Sequence, residues 1–216
     1  MAKRELKKLP KAASKIVRSS YKEGDGGKER DARIVERILS GEWSAFDMLV
    51  NLYEGPLYGF VLGRGIDEDS AVDITQETFI KAFQSIENFD GRRASFKTWL
   101  YTIAYNQIRD EARRASVQAR HREEQKRDLK VGIQASMAGP EQQCLDRDEA
   151  HRLLESLDED SRSIVGLKFW SGFSYDEIAQ IAGMARASVR SKVHRALKKM
   201  RKHAKNEEEG EGEERL

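Results

Sequence analysis

From Gly172 to Lys202 the chain reads GFSYDEIAQIAGMARASVRSKVHRALKKMRK, and this stretch constrains the fold more than any other. Ser174, with Glu177 three residues on, has the spacing of a capping box that opens a helix. Ile178, Ala179 and Ile181 give that helix an apolar side. Gly183 ends it, because glycine takes the unusual φ and ψ of a tight helix-to-helix turn without strain. A second helix starts near Arg186, where Val189, Val193, Ala196, Leu197 and Met200 recur at helical spacing and form a face to bury.

The other face of that second helix carries one sign. Arg186, Arg190, Lys192, Arg195, Lys198, Lys199, Arg201 and Lys202 are positive, and no acidic residue lies between Gly183 and Asn206. A helix that only fills a fold normally mixes signs to gain i,i+4 pairs. One that forgoes them repels itself, and a polyanion is the obvious compensation. Helix, glycine turn and basic second helix make a helix-turn-helix, whose second helix enters the DNA major groove N-terminus first. On that geometry Arg186, Ser188, Arg190 and Ser191 face base edges, and Lys198 onward lies near phosphates. A solvated basic face on an ordinary helical hairpin is the plainer alternative.

At 216 residues, 38% hydrophobic and 35% charged, the chain suits small helical domains with unstructured ends. Three prolines and few β-branched alternations point to an all-α protein: two small helical domains joined by a flexible linker, the second ending in the helix-turn-helix. The net charge of +2 hides a polarity, since the first 22 residues hold eight Lys or Arg against one Glu and the last ten hold six Glu. The single Cys144 has no internal disulfide partner, and His121, His151, His194 and His203 are too scattered for a metal site, so neither metal nor cofactor is expected. No apolar run approaches the length of a membrane helix, and the N-terminus has no apolar signal core. No membrane insertion is expected, and the expected location is the cytoplasm.

Residues 1–28 form a basic arm without a sustained apolar face. The first domain is expected over 29–115. Ile34, Val35, Ile38 and Leu39 open it, and Trp43, Phe46, Leu49, Val50, Leu52, Tyr53, Leu57, Phe60, Val61 and Leu62 supply a core, with a kink or restart at Gly55-Pro56. Asp67 to Asp69 place acid at the positive end of the next helix, which explains them better than a metal site with Asp73 would. On that helix Val72, Thr75, Phe79, Phe83 and Ile86 read as inner, and Asp73, Gln76, Glu77 and Lys81 as outer. In FDGRRASFKTWLYTIAYNQIRDEARRAS, Ser95 is the cap, while Phe96, Trp99, Leu100, Ile103 and Ile108 point inward. Lys97, Tyr101, Asn106, Arg109, Arg113 and Arg114 are expected to face out. Such a basic and aromatic surface suits single-stranded nucleic acid, although Phe96 and Trp99 fit a purely core role as well. The charged run from Val117 allows this helix to continue. A linker is placed at 116–143, the second domain at 144–205, with Ile164, Val165, Leu167, Phe169 and Trp170 under the helix-turn-helix, and an acidic tail too polar to fold at 206–216.

Taken together, four strings resemble the extracytoplasmic-function group of bacterial RNA polymerase sigma factors: DITQETFIKAF, FDGRRASFKTWLYTIAYNQIRDEARR, the stretch from Pro140 to Gly183, and SVRSKVHRALKKMRK. The resemblance covers about residues 30–115 and 145–203. It implies a factor that binds core RNA polymerase through the β′ clamp and β flap and directs promoter recognition, DNA melting and initiation. Asp73, Gln76, Glu77 and Phe79 match the family's clamp-binding motif. Arg92, Arg93, Ser95, Phe96, Lys97 and Trp99 match the segment that captures an extruded base, and Asn106, Arg109, Asp110, Arg113 and Arg114 the helix end along the minus-ten strand. Arg186, Ser188, Arg190, Ser191, Lys192 and Arg195 match the minus-thirty-five reader. An anti-sigma protein is a further partner the resemblance allows. The chain departs from the family at Met184, Ala185, Arg186 and Ala187, where a Pro and a Gly usually precede a Thr, and in its basic arm and acidic tail.

Polymerase supplies the catalysis in such a system, and no nucleophile, base or metal is needed here. A linker of about 28 residues relaxes to roughly 30 Å and extends to roughly 90 Å. It permits two DNA contacts several turns apart without fixing their spacing. Two other readings fit less of the chain. A stand-alone helix-turn-helix regulator leaves the first domain without a role, and a recombinase needs Tyr101 or Tyr105 beside Arg109 as its nucleophile.

Overall fold

The computed structural model describes residues 26–125, 154 and 156–213, with side-chain surroundings up to residue 114 in the first part and 204 in the second. Among the described residues the ordered elements are helices: α1 (Gly26–Leu39), α2 (Phe46–Leu62), α3 (Glu68–Gln84), α4 (Phe96–Gln125), α5 (Glu159–Phe169), α6 (Tyr175–Ala182) and α7 (Arg186–Glu213). Single 3₁₀ turns at Trp43–Ala45 and Ile86–Asn88 link α1 to α2 and follow α3.

The helix starts follow local chemistry. Asp67 and Asp158 are N-caps whose carboxylates accept from the Ser70 and Ser161 backbone N–H groups, each at 2.9 Å. Those bonds hold the Asp67 carboxyl below its usual range. Ser95 does the same for α4, its hydroxyl accepting from the Thr98 N–H at 3.1 Å. The capping box at Ser174 and Glu177 is complete in both directions. Gly183 closes α6 at φ 62°, where a side chain would be strained.

Four helices build the first module. Ile34, Val35 and Ile38 of α1, Leu49, Leu57 and Phe60 of α2, Ala71, Phe79 and Ala82 of α3, and Phe96, Leu100, Ala104 and Ile108 of α4 are buried together. Buried Asp31 ties α1 to α2: it accepts from the Arg30 guanidinium at 3.0 Å and from the Tyr53 hydroxyl. In the second module α5 contributes Ile164, Val165 and Leu167, α6 contributes Ile178 and Ile181, and α7 contributes Val189, Val193, Ala196, Leu197 and Met200.

Several expectations need correction. Helix α2 runs through Pro56 without a restart. Gly55 and Pro56 lie on its exposed side, where water can take over the lost backbone bond, while buried Leu57 and Phe60 hold the axis in line. Trp43, Val72 and Phe83 were expected inside, yet each is more than two-fifths exposed. Helix α4 continues to Gln125, ten residues past the expected domain end at 115, as the charged run from Val117 allows. The backbone of α7 stays helical through Glu213, so the first part of the Glu/Gly tail prolongs a helix already nucleated rather than remaining unfolded. The basic arm to residue 25 and most of the expected linker and second-domain entry lie outside the described residues.

The two modules pack against each other along a polar and aromatic seam. Arg64, at the end of α2, is 1% exposed and donates to Glu159 Oε1 at 2.6 Å and to the Ser163 hydroxyl. Arg162 donates to the Arg64 carbonyl at 2.6 Å. Gly166 of α5 faces Phe60 across this seam, and a Cβ there would lie at ordinary contact distance, 3.5 Å from that ring.

Leu57→Ala, which empties a fully buried site, is expected to lower stability by about 2–5 kcal/mol. Ile80→Ala, at a half-exposed site, should change it by less than about 0.5 kcal/mol. Urea unfolding followed by far-UV circular dichroism checks both.

Candidate nucleic-acid interface

Helix α7 presents the basic face expected of it. Ser188, Arg190, Ser191 and Arg195 are exposed, as are Lys198 and Lys199 further along. Arg190, Ser191, Arg195 and His194 surround an open surface hollow. His194 is a residue that sequence reasoning set aside as ordinary surface. Its position four residues after Arg190 was the signal that places it on the same face of α7 as Arg190. Arg186 is exposed at the helix start and pairs with Asp176 of α6 at 3.3 Å. Lys192 differs from its sequence assignment: it is only 24% exposed and pairs with Asp160 at 3.3 Å, so it anchors α7 to α5.

The loop and start of α4 form the second cluster. Arg92 grips Asp90 through two nitrogens, at 2.9 and 3.0 Å, and the guanidinium holds that carboxyl down to about 2. Arg93 is exposed. Phe96 is buried, packed on Tyr53 and Phe89, and is a core residue. Trp99 is half-buried between Phe89, 5.3 Å away, and Phe96, 5.8 Å away. The indole is thus held by packing while part of it stays exposed to solvent. Lys97 is drawn away to the second module, where its ammonium donates to the Ser171 carbonyl at 3.1 Å. Further along α4, Asn106, Arg109, Asp110, Arg113 and Arg114 are exposed and share a strongly polar surface.

Tyr101 reverses an expectation. It was read as facing out, but it is 1% exposed, with its ring 5.2 Å from Phe60 and 4.9 Å from Phe173 of the other module. Tyr105 is also buried, and burial, reinforced by nearby Asp160, pushes its phenol up. Neither tyrosine is placed as a strand-cleaving nucleophile.

The outer face of α3 is the third cluster. Asp73, Gln76 and Glu77 are exposed, and Glu77 pairs with Lys81 at 3.3 Å. Phe79 is not part of this surface; it is buried edge-on to Phe46 at 6.4 Å. Instead Val72, Ile80 and Phe83 stand exposed among the polar residues, and Trp43 lies edge-on to Phe83 at 5.7 Å. The face is therefore apolar as well as acidic. Among the described residues no group of three or more His, Cys, Asp or Glu is placed to hold a metal, and no helix is long and apolar enough to cross a membrane.

The Sigma-70 region 2 family matches residues 49–117, and the Sigma-70 region 4 family matches residues 147–200. The RNA polymerase sigma-H factor of Pseudomonas aeruginosa is 34% identical over 181 residues, covering 78% of this chain and 90% of its own. The ECF RNA polymerase sigma-E factor of Haemophilus influenzae is 33% identical over 174 residues, covering 77% and 90%. This chain belongs to the extracytoplasmic-function group of bacterial RNA polymerase sigma factors. Solved structures agree in fold. CnrH in complex with the cytosolic domain of CnrY matches with a TM-score of 0.62 at 25% identity, covering 82% of this chain and 97% of that one. The sigma factor RpoE of Bartonella quintana, in complex with the anti-sigma factor NepR, matches with a TM-score of 0.61 at 30% identity, covering 74% and 96%.

As a sigma factor, the protein binds core RNA polymerase and directs promoter recognition, DNA melting and transcription initiation. The region 2 match gives the first module a role that a stand-alone helix-turn-helix regulator would not need, so that reading is not favoured.

Exposed Arg190 in the hollow of α7 and exposed Lys199 further along are expected to behave differently. In holoenzyme binding assays Arg190→Ala should lose about 1–3 kcal/mol of discrimination at one upstream base pair. Lys199→Ala should weaken all sequences alike and reduce the salt slope by about one.

Proposed function

We propose that the three surfaces divide the sigma factor's work. The outer face of α3, with Asp73, Gln76 and Glu77 beside Val72, Ile80 and Phe83, docks on the β′ clamp of core polymerase. Helix α7 reads the minus-thirty-five duplex through Arg186, Ser188, Arg190, Ser191 and Arg195, with His194 added to that set, while its module rests on the β flap. The loop from Arg92 to Trp99 takes an extruded non-template base, and Asn106, Arg109, Asp110, Arg113 and Arg114 follow the minus-ten strand. In this scheme Phe79, Phe96 and Lys192 act indirectly. They hold α3, α4 and α7 in the positions from which exposed neighbours reach their partners.

The observation that carries the docking reading is the mixed character of α3. Its inner side is fixed by Ala71, Phe79 and Ala82, yet Val72, Ile80 and Phe83 are left in water between carboxylates. An exposed apolar row rimmed by charge on a rigid helix is the anatomy of a protein contact. A purely solvated helix face would not keep those side chains. The protein acts in the cytoplasm, where polymerase is found, and is itself no enzyme. An anti-sigma protein is a fitting regulator, because two structural relatives were each solved with such a partner or a cytosolic domain bound.

A charge reversal tests the docking face without touching the core. Asp73→Lys with Glu77→Lys is expected to reduce co-purification with core RNA polymerase at least ten-fold while circular dichroism and melting temperature stay unchanged. Stoichiometric capture of the folded double variant would overturn the assignment of this face.

A further inference from the structure

We infer that the basic N-terminal arm, residues 3–22, seats in cis on the outer face of α3 and covers its acidic and apolar stripe. This goes beyond the division of labour above. It rests on that reading only for its consequence, that the arm and core polymerase compete for one face.

The stripe is one continuous ridge. Asp69, Val72, Asp73, Glu77, Ile80 and Phe83 recur at helical spacing and are all exposed. Carboxylates lie toward the start of α3. Apolar side chains lie toward its end, where Phe83 meets exposed Trp43 at 5.7 Å. The surface is short of cations of its own. From Glu42 to Asp90 the chain holds ten Asp or Glu against two cations, Arg64 and Lys81. Arg64 is buried, and Lys81 belongs to α3 itself, where it pairs with Glu77 at 3.3 Å. An apolar row inside so acidic a surface selects a partner that is both basic and apolar.

The arm has that composition, and in the matching order. Lys7, Lys8 and Lys11 come first, and Ile16 and Val17 follow. The chain enters α1 at Gly26, and α1 ends at Leu39, beside the turn that carries Trp43. The fourteen residues of α1 put Gly26 about 20 Å from that end at 1.5 Å per residue. From Val17 to Gly26 the extended chain spans about 30 Å, so Ile16 and Val17 reach Trp43 and Phe83. From there the arm runs back along α3. The helix rises about 21 Å from Phe83 to Asp69. The stretch from Lys15 to Lys7, about 27 Å when extended, covers that distance. Apolar then meets apolar and lysine meets carboxylate. The opposite direction would set Ile16 and Val17 against Asp69 and Asp73.

Tethering makes a weak contact sufficient. A short tether holds a segment near its seat at an effective concentration of roughly millimolar. Exposed ion pairs are individually weak and screened by salt. The seat is therefore occupied at low salt, and it empties as salt rises or when a tighter partner arrives.

The experiment uses the free full-length chain with Cys144→Ser and a nitroxide label at Leu6→Cys or Ser14→Cys, reading the broadening of backbone amide signals by NMR. The Ser14 label is expected to broaden Ile80 to Gln84 most, and the Leu6 label Asp67 to Asp73. Asp73→Lys with Glu77→Lys, both at exposed positions, is expected to abolish both patterns. Deleting residues 2–22 is expected to raise affinity for core polymerase about five-fold at ~50 mM salt and less than two-fold at ~300 mM. Broadening spread over the whole chain, centred on α4 or α7, reversed in order, or unchanged by the charge reversal would overturn the inference. So would a deletion that weakens holoenzyme binding to duplex DNA while α3 stays unbroadened, since the arm would then serve phosphates. Ordered broadening on α3 with polymerase affinity unmoved by the deletion would uphold the arm's seat and overturn instead the assignment of this face to polymerase.

Discussion

Helix α4 has two packed faces, and the whole arrangement depends on that. Phe96, Leu100, Ala104 and Ile108 close the core of the first module. Around the same turns, Lys97 and Tyr101 meet Ser171 and Phe173 of the second. A helix with one packed face would leave its other side permanently open to DNA. With two, the exposure of Lys97 and Tyr101 is tied to the relative position of the modules. The burial of Phe96 and the half-burial of Trp99 keep the helix start rigid, and a rigid platform is what capture of an unstacked base requires.

The second module is built for presentation. Val189, Val193, Ala196, Leu197 and Met200 seat α7 on α5 and α6, and the capping box with the left-handed turn at Gly183 sets the turn between α6 and α7. Lys192 and Asp160 pin α7 to α5 from the side. The cations that remain exposed have no acidic neighbours of their own on α7 up to Asn206, apart from Arg186, which α6 meets with Asp176. On the proposed reading, their repulsion is relieved by phosphate rather than by protein.

Much of this was legible in the sequence because the signals were local. Ser174, Glu177 and Gly183 lie within ten residues and define two helices and a turn with no knowledge of the rest. The apolar row from Val189 to Met200 lies on one helix, and all five of its residues are buried. What escaped was decided by distant partners. Periodicity shows that α3 has apolar positions on more than one side, but only the placement of α2 and α4 decides that Phe79 goes in while Val72 and Phe83 stay out. Tyr101 reads as outward until Phe173 arrives from the other module. Arg64 carried no local signal at all, because its partners Glu159 and Ser163 come from α5. The helical continuation to Glu213 escaped for a different reason: composition judges a segment alone, whereas α7 hands it a helix already formed.

Promoter specificity, on this account, belongs to the assembled holoenzyme, because neither a tethered pair of modules nor a closed one fixes the distance between two DNA elements. The most direct test measures affinity for a duplex promoter fragment and for a scrambled duplex, with free protein and with protein bound to core polymerase. The account predicts weak and nearly equal binding by the free chain, and a preference of at least a hundred-fold for the promoter in the holoenzyme. Nanomolar binding of the promoter by the free chain, with the scrambled duplex rejected, would contradict it.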